Sequence, residues 1–233
     1  MKKIGAIATH IYTGSGIFLA FWAALALLEK DVSTFFIALW LAVIVDATDG
    51  TLARYFDVKK VIPGVDGALM DNIIDYITYV FLPAMALVVF DILPQSLTWV
   101  AFFPLGASLY GFSQIQAKAD ASFVGFPSYW NILLLYLYIL RLPTPWVVII
   151  LIFLAVMVFV PVRYIYPTRT RWLKSATLIL GAIYGIALIA LCFSPDADWA
   201  KNIALLSLLY PLYYVIISFI HHQEVMKSKI ATV

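Results

Sequence analysis

Long stretches without a charged residue constrain this chain more than anything else in it. No Asp, Glu, Lys or Arg occurs from Trp146 to Val162 or from Ala176 to Phe193. Apolar runs of about 20 residues, folded as helices, cross a hydrocarbon core roughly 30 Å thick. With 64% of the 233 residues hydrophobic and 12% charged, the rest of the chain has the same character. Such a composition belongs to polytopic membrane proteins and leaves no segment over for a soluble domain. Residues 1–233 therefore read as a single all-α transmembrane domain.

Eight spans can be drawn, over residues 5–28, 33–54, 67–90, 95–116, 127–141, 145–165, 174–193 and 199–220. Proline and polar residues at Glu29-Lys30-Asp31, Leu93-Pro94, Leu142-Pro143-Thr144-Pro145 and Ser194-Pro195-Asp196 stop the helices between them. The fifth span is short and opens with Gly125-Phe126-Pro127, which suits a tilted or partial crossing. Met1-Lys2-Lys3 and the apolar stretch Ile4 to Leu28 resemble a signal sequence. That run exceeds the usual core of about 7–15 residues and reads as a retained first helix. The single Cys192 excludes an internal disulfide and a thiolate metal cluster.

Lys and Arg set the orientation. Lys2, Lys3, Arg54, Lys59, Lys60, Lys118, Arg163, Arg169, Arg171, Lys174, Lys227 and Lys229 fall on one side of an eight-span arrangement. Only Lys30, Arg141 and Lys201 fall on the other, together with most of the loop acids. The positive-inside rule then places both termini in the cytoplasm.

Against this background the stretch from Asp46 to Asp75 is costly, because hydrocarbon penalises an ionisable side chain by roughly 2.5–3.5 kcal/mol on insertion scales. It holds Asp46 and Asp49 near the cytoplasmic end of the second span, and Asp71 and Asp75 near the cytoplasmic start of the third. Residues three or four apart share a helix face, with Cα atoms about 4.5 and 6 Å apart along the axis. Four converging carboxylates repel one another unless a cation sits among them. All-oxygen ligation suits Mg²⁺ or Mn²⁺, and two such ions side by side are a known device for phosphoryl transfer. Gly50, Ala53 and Gly67 keep the same faces small enough for helices and phosphates to approach. Two other readings stand beside this one. The acids form a structural polar seam in which Arg54 pairs with Asp49 or Asp57, or they line the path of a cation transporter. Transporters, however, usually place such sites at the midplane of repeated halves, and no repeat is visible here.

The pattern Asp46-x-x-Asp49-Gly50-x-x-Ala53-Arg54, followed by Gly67-x-x-x-Asp71-x-x-x-Asp75, resembles the signature of the CDP-alcohol phosphatidyltransferases, integral membrane enzymes of phospholipid synthesis. Twelve residues, Tyr55 to Asp66, separate its two halves, more than is common in that family. The longer insertion is similar to the bacterial phosphatidylcholine synthase branch. So are Val65 to Asn72, Gly111-Phe112-Ser113-Gln114 and Gly125 to Asn131, and so is the eight-span count.

The resemblance implies transfer of a phosphatidyl group from CDP-diacylglycerol to choline, giving phosphatidylcholine and CMP. Other acceptors used in the family are serine, glycerol 3-phosphate and inositol phosphate. It implies a bacterial inner-membrane enzyme working on membrane lipids from the cytoplasmic side, with no nucleic-acid partner, and it admits a homodimer. Asp46, Asp49 and Asp71 would hold two Mn²⁺ or Mg²⁺ ions. Asp75 would contact the second ion or act as general base, and Asp71 would serve catalysis as well as ligation. Asp49, Gly50, Ala53 and Gly67 would line the nucleotide site. Arg54 would either orient the aspartates or meet a phosphate.

Choline adds its own requirement, since a quaternary ammonium is recognised by aromatic faces or carboxylates. Tyr76, Tyr79, Tyr110, Phe112, Phe126, Tyr129 and Trp130 are candidates, with Asp120 as an electrostatic partner; the interfacial aromatic belt explains each of them singly. Arg163 and Lys118, with Arg169, Arg171 and Lys174, would hold lipid phosphates or serve as positive-inside anchors. His10 and Thr13 either reach the nucleotide or bond between helices. His221, His222 and Glu224 read as a solvated terminus.

Overall fold

The structure, a computed structural model, describes residues 2–114, 118–119, 122–165 and 173–231, the last four of these and residues 118 and 119 as backbone only. Helices α1 (Lys2–Leu28) and α2 (Val32–Tyr55) form the most extensively packed pair of elements. The reason is the buried face of α1. Ala6, Thr9, Thr13, Gly16, Ala20, Ala23 and Leu27 recur every three or four residues, and most are small enough to let α2 close in. Asp31 caps α2 by accepting from the N–H of Thr34 at 3.0 Å.

After a single turn, α3 (Val58–Val61), the chain enters α4 (Gly67–Asp75). Here Asp66 is the cap, its Oδ1 accepting from the N–H groups of Ala68 at 3.0 Å and Leu69 at 3.1 Å. Helix α4 runs through a π-helical segment, Tyr76–Phe81, into α5 (Leu82–Val89). Pro83 accounts for the widening. It has no N–H to give back to the carbonyl one turn earlier and crowds that carbonyl, so the ladder shifts to five-residue spacing, as in the bond from the Leu82 N–H to the Ile77 carbonyl.

A 3₁₀ segment, Gln95–Ala101, leads into α6 (Phe102–Ser113). Helices α7 (Trp130–Leu140), α8 (Thr144–Phe159), α9 (Lys174–Phe193), α10 (Ala200–Ser207) and α11 (Leu209–Ala231) follow. One core joins them, with Phe35, Leu134, Leu151, Leu188 and Leu191 almost fully buried. The outward residues are apolar too: Phe153, Ile183, Ile186, Leu206 and Leu209 are all more than half exposed. A surface like that is made for lipid rather than water. Among the described residues, five helical stretches are long and apolar enough to cross a membrane: Lys2–Leu28, Val32–Tyr55, Gly67–Val89, Lys174–Phe193 and Ala200–Lys227. Trp130–Leu140 and Thr144–Phe159 are shorter apolar helices, in keeping with the short fifth span.

The described residues are mostly helical, as an all-α membrane protein should be, with β1 (Lys118–Ala119), β2 (Ser122–Val124) and β3 (Arg163–Ile165) forming a small antiparallel sheet in the order β1-β2-β3. Two expectations of detail need correction. The sixth span, drawn to residue 165, ends at Phe159. Val160 is extended ahead of Pro161, as residues before proline prefer, and the chain turns into β3. The second correction concerns His221 and His222, which dock this sheet onto α11 rather than trailing into solvent. His221 Nε2 lies 3.0 Å from Ser122 Oγ, and the Arg163 N–H donates to His222 Nδ1 at 3.3 Å. Ser218 adds a third tie by accepting from the Ile165 N–H at 3.1 Å.

Candidate active site

The cost of burying acids is concentrated where α1, α2 and α4 meet. Asp46 and Asp49 project from α2 and Asp71 from α4, each offering an oxygen within 4.8 Å of the other two. Asp49 is 6% exposed, and Asp46 and Asp71 are half-buried. Two neutral hydroxyls fix the carboxylates. Thr13 Oγ1 on α1 donates to Asp49 Oδ2 at 2.8 Å, and Tyr79 Oη donates to Asp46 Oδ2 at the same distance. Donors of this kind set the orientation of metal ligands. Three convergent carboxylates with no nitrogen or sulfur in the group fit a hard divalent cation.

Close packing by small residues makes the convergence possible. A Cβ added at Gly16 would come within 2.7 Å of Ile74, so α4 lies directly on α1. One at Gly67 would come 3.1 Å from the His10 ring. The His10 Nε2 is buried there without a hydrogen-bond partner among the described residues. Gly50 lies under the Arg54 side chain, whose Nη1 would be 3.3 Å from a Cβ at that position. Ala53 is half-buried on the same helix.

The remaining sequence candidates are distributed as follows. Asp75 is 7% exposed, a turn beyond Asp71 and outside the convergent group of three, and interacts electrostatically with Tyr79. Arg54 is exposed, its Nη2 donating to Thr51 Oγ1 at 2.9 Å. Asp57, a possible partner for Arg54 in a structural seam, is paired with Lys2 at 3.1 Å. That bond and the Lys2 charge hold the Asp57 carboxyl below the usual range.

The seven aromatics proposed for choline occupy several places, Phe126 meeting Trp130 edge to face at 5.3 Å. Tyr76 donates to the Leu105 carbonyl at 3.0 Å and meets Phe112 edge to face at 6.0 Å. Tyr110 stacks on Phe159, and Trp130 is buried with its Nε1 donating to Ser108 Oγ at 2.7 Å. Tyr79 and Tyr129 face each other with ring centroids 6.2 Å apart. Arg163 lies in β3, while the Lys118 side chain and the whole of Asp120, Arg169 and Arg171 lie outside the described residues. Sequence reasoning found Thr13 and Tyr79 but not their task, because a hydroxyl that steers a ligand carries no signal of its own. It missed Ser108 and Ser128 altogether.

Fold and site together define an integral membrane protein built around an acidic, all-oxygen centre suited to a divalent cation. Compared with models of protein families, the chain matches none. Compared with individual proteins, it is 42% identical over 198 residues to a phosphatidylcholine synthase of Legionella bozemanae, a match covering 78% of this chain and 89% of the relative. It is 35% identical to the phosphatidylcholine synthase of Pseudomonas aeruginosa over 85% of this chain and 84% of that one. The Legionella pneumophila phosphatidylcholine synthase is 34% identical over 95% and 90%. The chain belongs to the phosphatidylcholine synthase family.

Proposed function

We propose that this protein transfers the phosphatidyl group of CDP-diacylglycerol to choline, releasing CMP. The observation that carries the reading is the convergence of Asp46, Asp49 and Asp71 in a chain of this family. These three residues would hold Mn²⁺ or Mg²⁺, two ions if the signature is followed, and a bound ion would supply positive charge to the pyrophosphate oxygens of the lipid nucleotide.

The chain's own groups do the rest. Gly50, Ala53 and Gly67 leave room for the nucleotide beside the acids, and Arg54, exposed over Gly50, is free to swing toward a phosphate. Asp75 takes the hydroxyl proton of choline as that oxygen attacks the phosphorus bearing diacylglycerol. The bond from this phosphorus to the CMP oxygen breaks, and CMP leaves with the electron pair. A neutral alcohol is a weak nucleophile, so a carboxylate within hydrogen-bond reach of it is required. Thr13 and Tyr79 keep the acids aimed throughout.

In this reading the eight helical stretches all cross the bacterial inner membrane, fully or in part, with both termini and the acidic centre on the cytoplasmic side. The Lys and Arg distribution supports that orientation. Purified protein supplied with CDP-diacylglycerol is expected to release CMP with choline but not with serine or glycerol 3-phosphate. Release with either of those and none with choline would overturn the choice of acceptor. Cation flux in liposomes without any CMP release would overturn the reaction class.

A further inference from the structure

Around Tyr129 the structure assembles a positioning device that the chemistry of the acids does not use. Ser128 has φ 57°, a left-handed conformation that costs a residue with a Cβ, and yet it is 4% exposed. Its hydroxyl lies 2.9 Å from that of Ser108, which is fully buried on α6 and also accepts from Trp130 Nε1 at 2.7 Å. Both neighbours of Tyr129 are thus tied to a single serine. The approach to this turn is fixed as well. Gly125, at φ 82°, presses on the Val158 carbonyl so closely that any Cβ would collide with it.

The ring held in this way stands between the acids and the last helix. On one side is Tyr79, whose hydroxyl is on Asp46. On the other is Tyr214 of α11, with which Tyr129 interacts electrostatically. Tyr214 in turn donates to the Ile165 carbonyl at 3.0 Å and stacks on Tyr164 at 6.1 Å with 14° between the planes. Tyr129 and Tyr214 are both half-buried, so neither ring is sealed in the core. A trimethylammonium group carries charge but no N–H, and aromatic faces next to carboxylates are what recognise it.

We propose that the quaternary ammonium of the acceptor is received against the rings of Tyr129 and Tyr214, and that Ser108 and Ser128 are positioning residues holding Tyr129 there. This rests on the choline reading above and adds to it a place, a second helix and a reason for the strained serine. Tyr214 and the two serines carry no signal in the sequence, because a tyrosine in the last span reads as belt and the serines read as ordinary helix polar groups.

Initial rates measured against choline and, separately, against CDP-diacylglycerol test it, using wild type, Tyr129→Leu, Tyr129→Phe, Tyr214→Leu, Tyr214→Phe, Ser108→Ala and Ser108→Thr. Equilibrium binding of CMP on the same preparations identifies the folded ones. Both Leu variants are expected to raise the KM for choline about tenfold, equivalent to about 1.4 kcal/mol, because they keep bulk and lose the ring face. The Phe variants keep the ring and stay within about threefold of wild type, and the KM for CDP-diacylglycerol moves in none of them. Ser108→Ala is expected to raise the choline KM with kcat little changed, and Ser108→Thr, which keeps the hydroxyl, to restore it. An unchanged choline KM in the Leu variants overturns the proposal. So does an equal rise for both substrates, which would assign these residues to folding. Failure of the choline reading itself shows earlier and separately, as wild type that releases no CMP with choline.

Discussion

Two hydroxyls decide how the acidic centre is held. Thr13 and Tyr79 each donate to one oxygen of a buried or half-buried carboxylate, and a hydrogen bond to a charged group is worth about 1.5–3 kcal/mol. Thr13→Val keeps the volume of the side chain and removes the donor. It is expected to weaken Mn²⁺ binding about 10–100-fold, measured by calorimetric titration. Asp75 is proposed as the base. Asp75→Asn should lose turnover while keeping CMP binding, and normal turnover would remove it as the base. At this scale the sequence was most legible where a residue is expensive. Carboxylates in apolar helices announce themselves, and three of the four converge. Neutral partners such as Ser108 and Ser128 carry no charge to mark them, and twenty positions separate them, so only the fold brings them together.

Helix ends are where local sequence controls the elements. Asp31 and Asp66 both act as N-caps, and the second fixes the start of the helix that delivers Asp71. The hydrogen bonds from Thr34 hold the Asp31 carboxyl below its usual value of 3.8. A carboxyl whose folded value is depressed contributes its stability above the unfolded value and loses it as pH falls through the folded one. Asp31→Ala is therefore expected to lower the thermal midpoint in detergent by about 2–4 °C at pH 7, and the difference from wild type should shrink below about pH 4. A difference that persists unchanged at pH 3 would show that something other than the charged cap is at work. Long apolar helices and their proline stops were readable because length and breaking residues are strong signals. The sheet was not, since Arg163 to Ile165 follows directly on an apolar run and two or three residues are too few to show a strand period. The π-helical segment ahead of Pro83 was equally hidden, because the proline signals a disturbance but not how the ladder absorbs it.

For the molecule as a whole, the fold is a lipid-facing shell around an acidic centre. Packing of small residues between α1, α2 and α4 creates that centre, while the outward Phe, Ile and Leu side chains of α8 to α11 present an apolar surface. The class of molecule could be read from composition, and the centre from the spacing of its acids. How the aromatics divide between lipid belt and binding surface could not, since rings at an interface look alike until their neighbours are known. The central claim is that the three convergent aspartates are the ion-holding reaction centre. Titrating Mn²⁺ into purified wild type and Asp49→Asn, with CMP release followed on the same samples, tests it most directly. Wild type should bind the ion saturably and lose activity in EDTA, regaining it when Mn²⁺ or Mg²⁺ is returned, while Asp49→Asn should lose ion binding and CMP release together. Undiminished ion binding and turnover in Asp49→Asn, or full wild-type activity in EDTA, would contradict it.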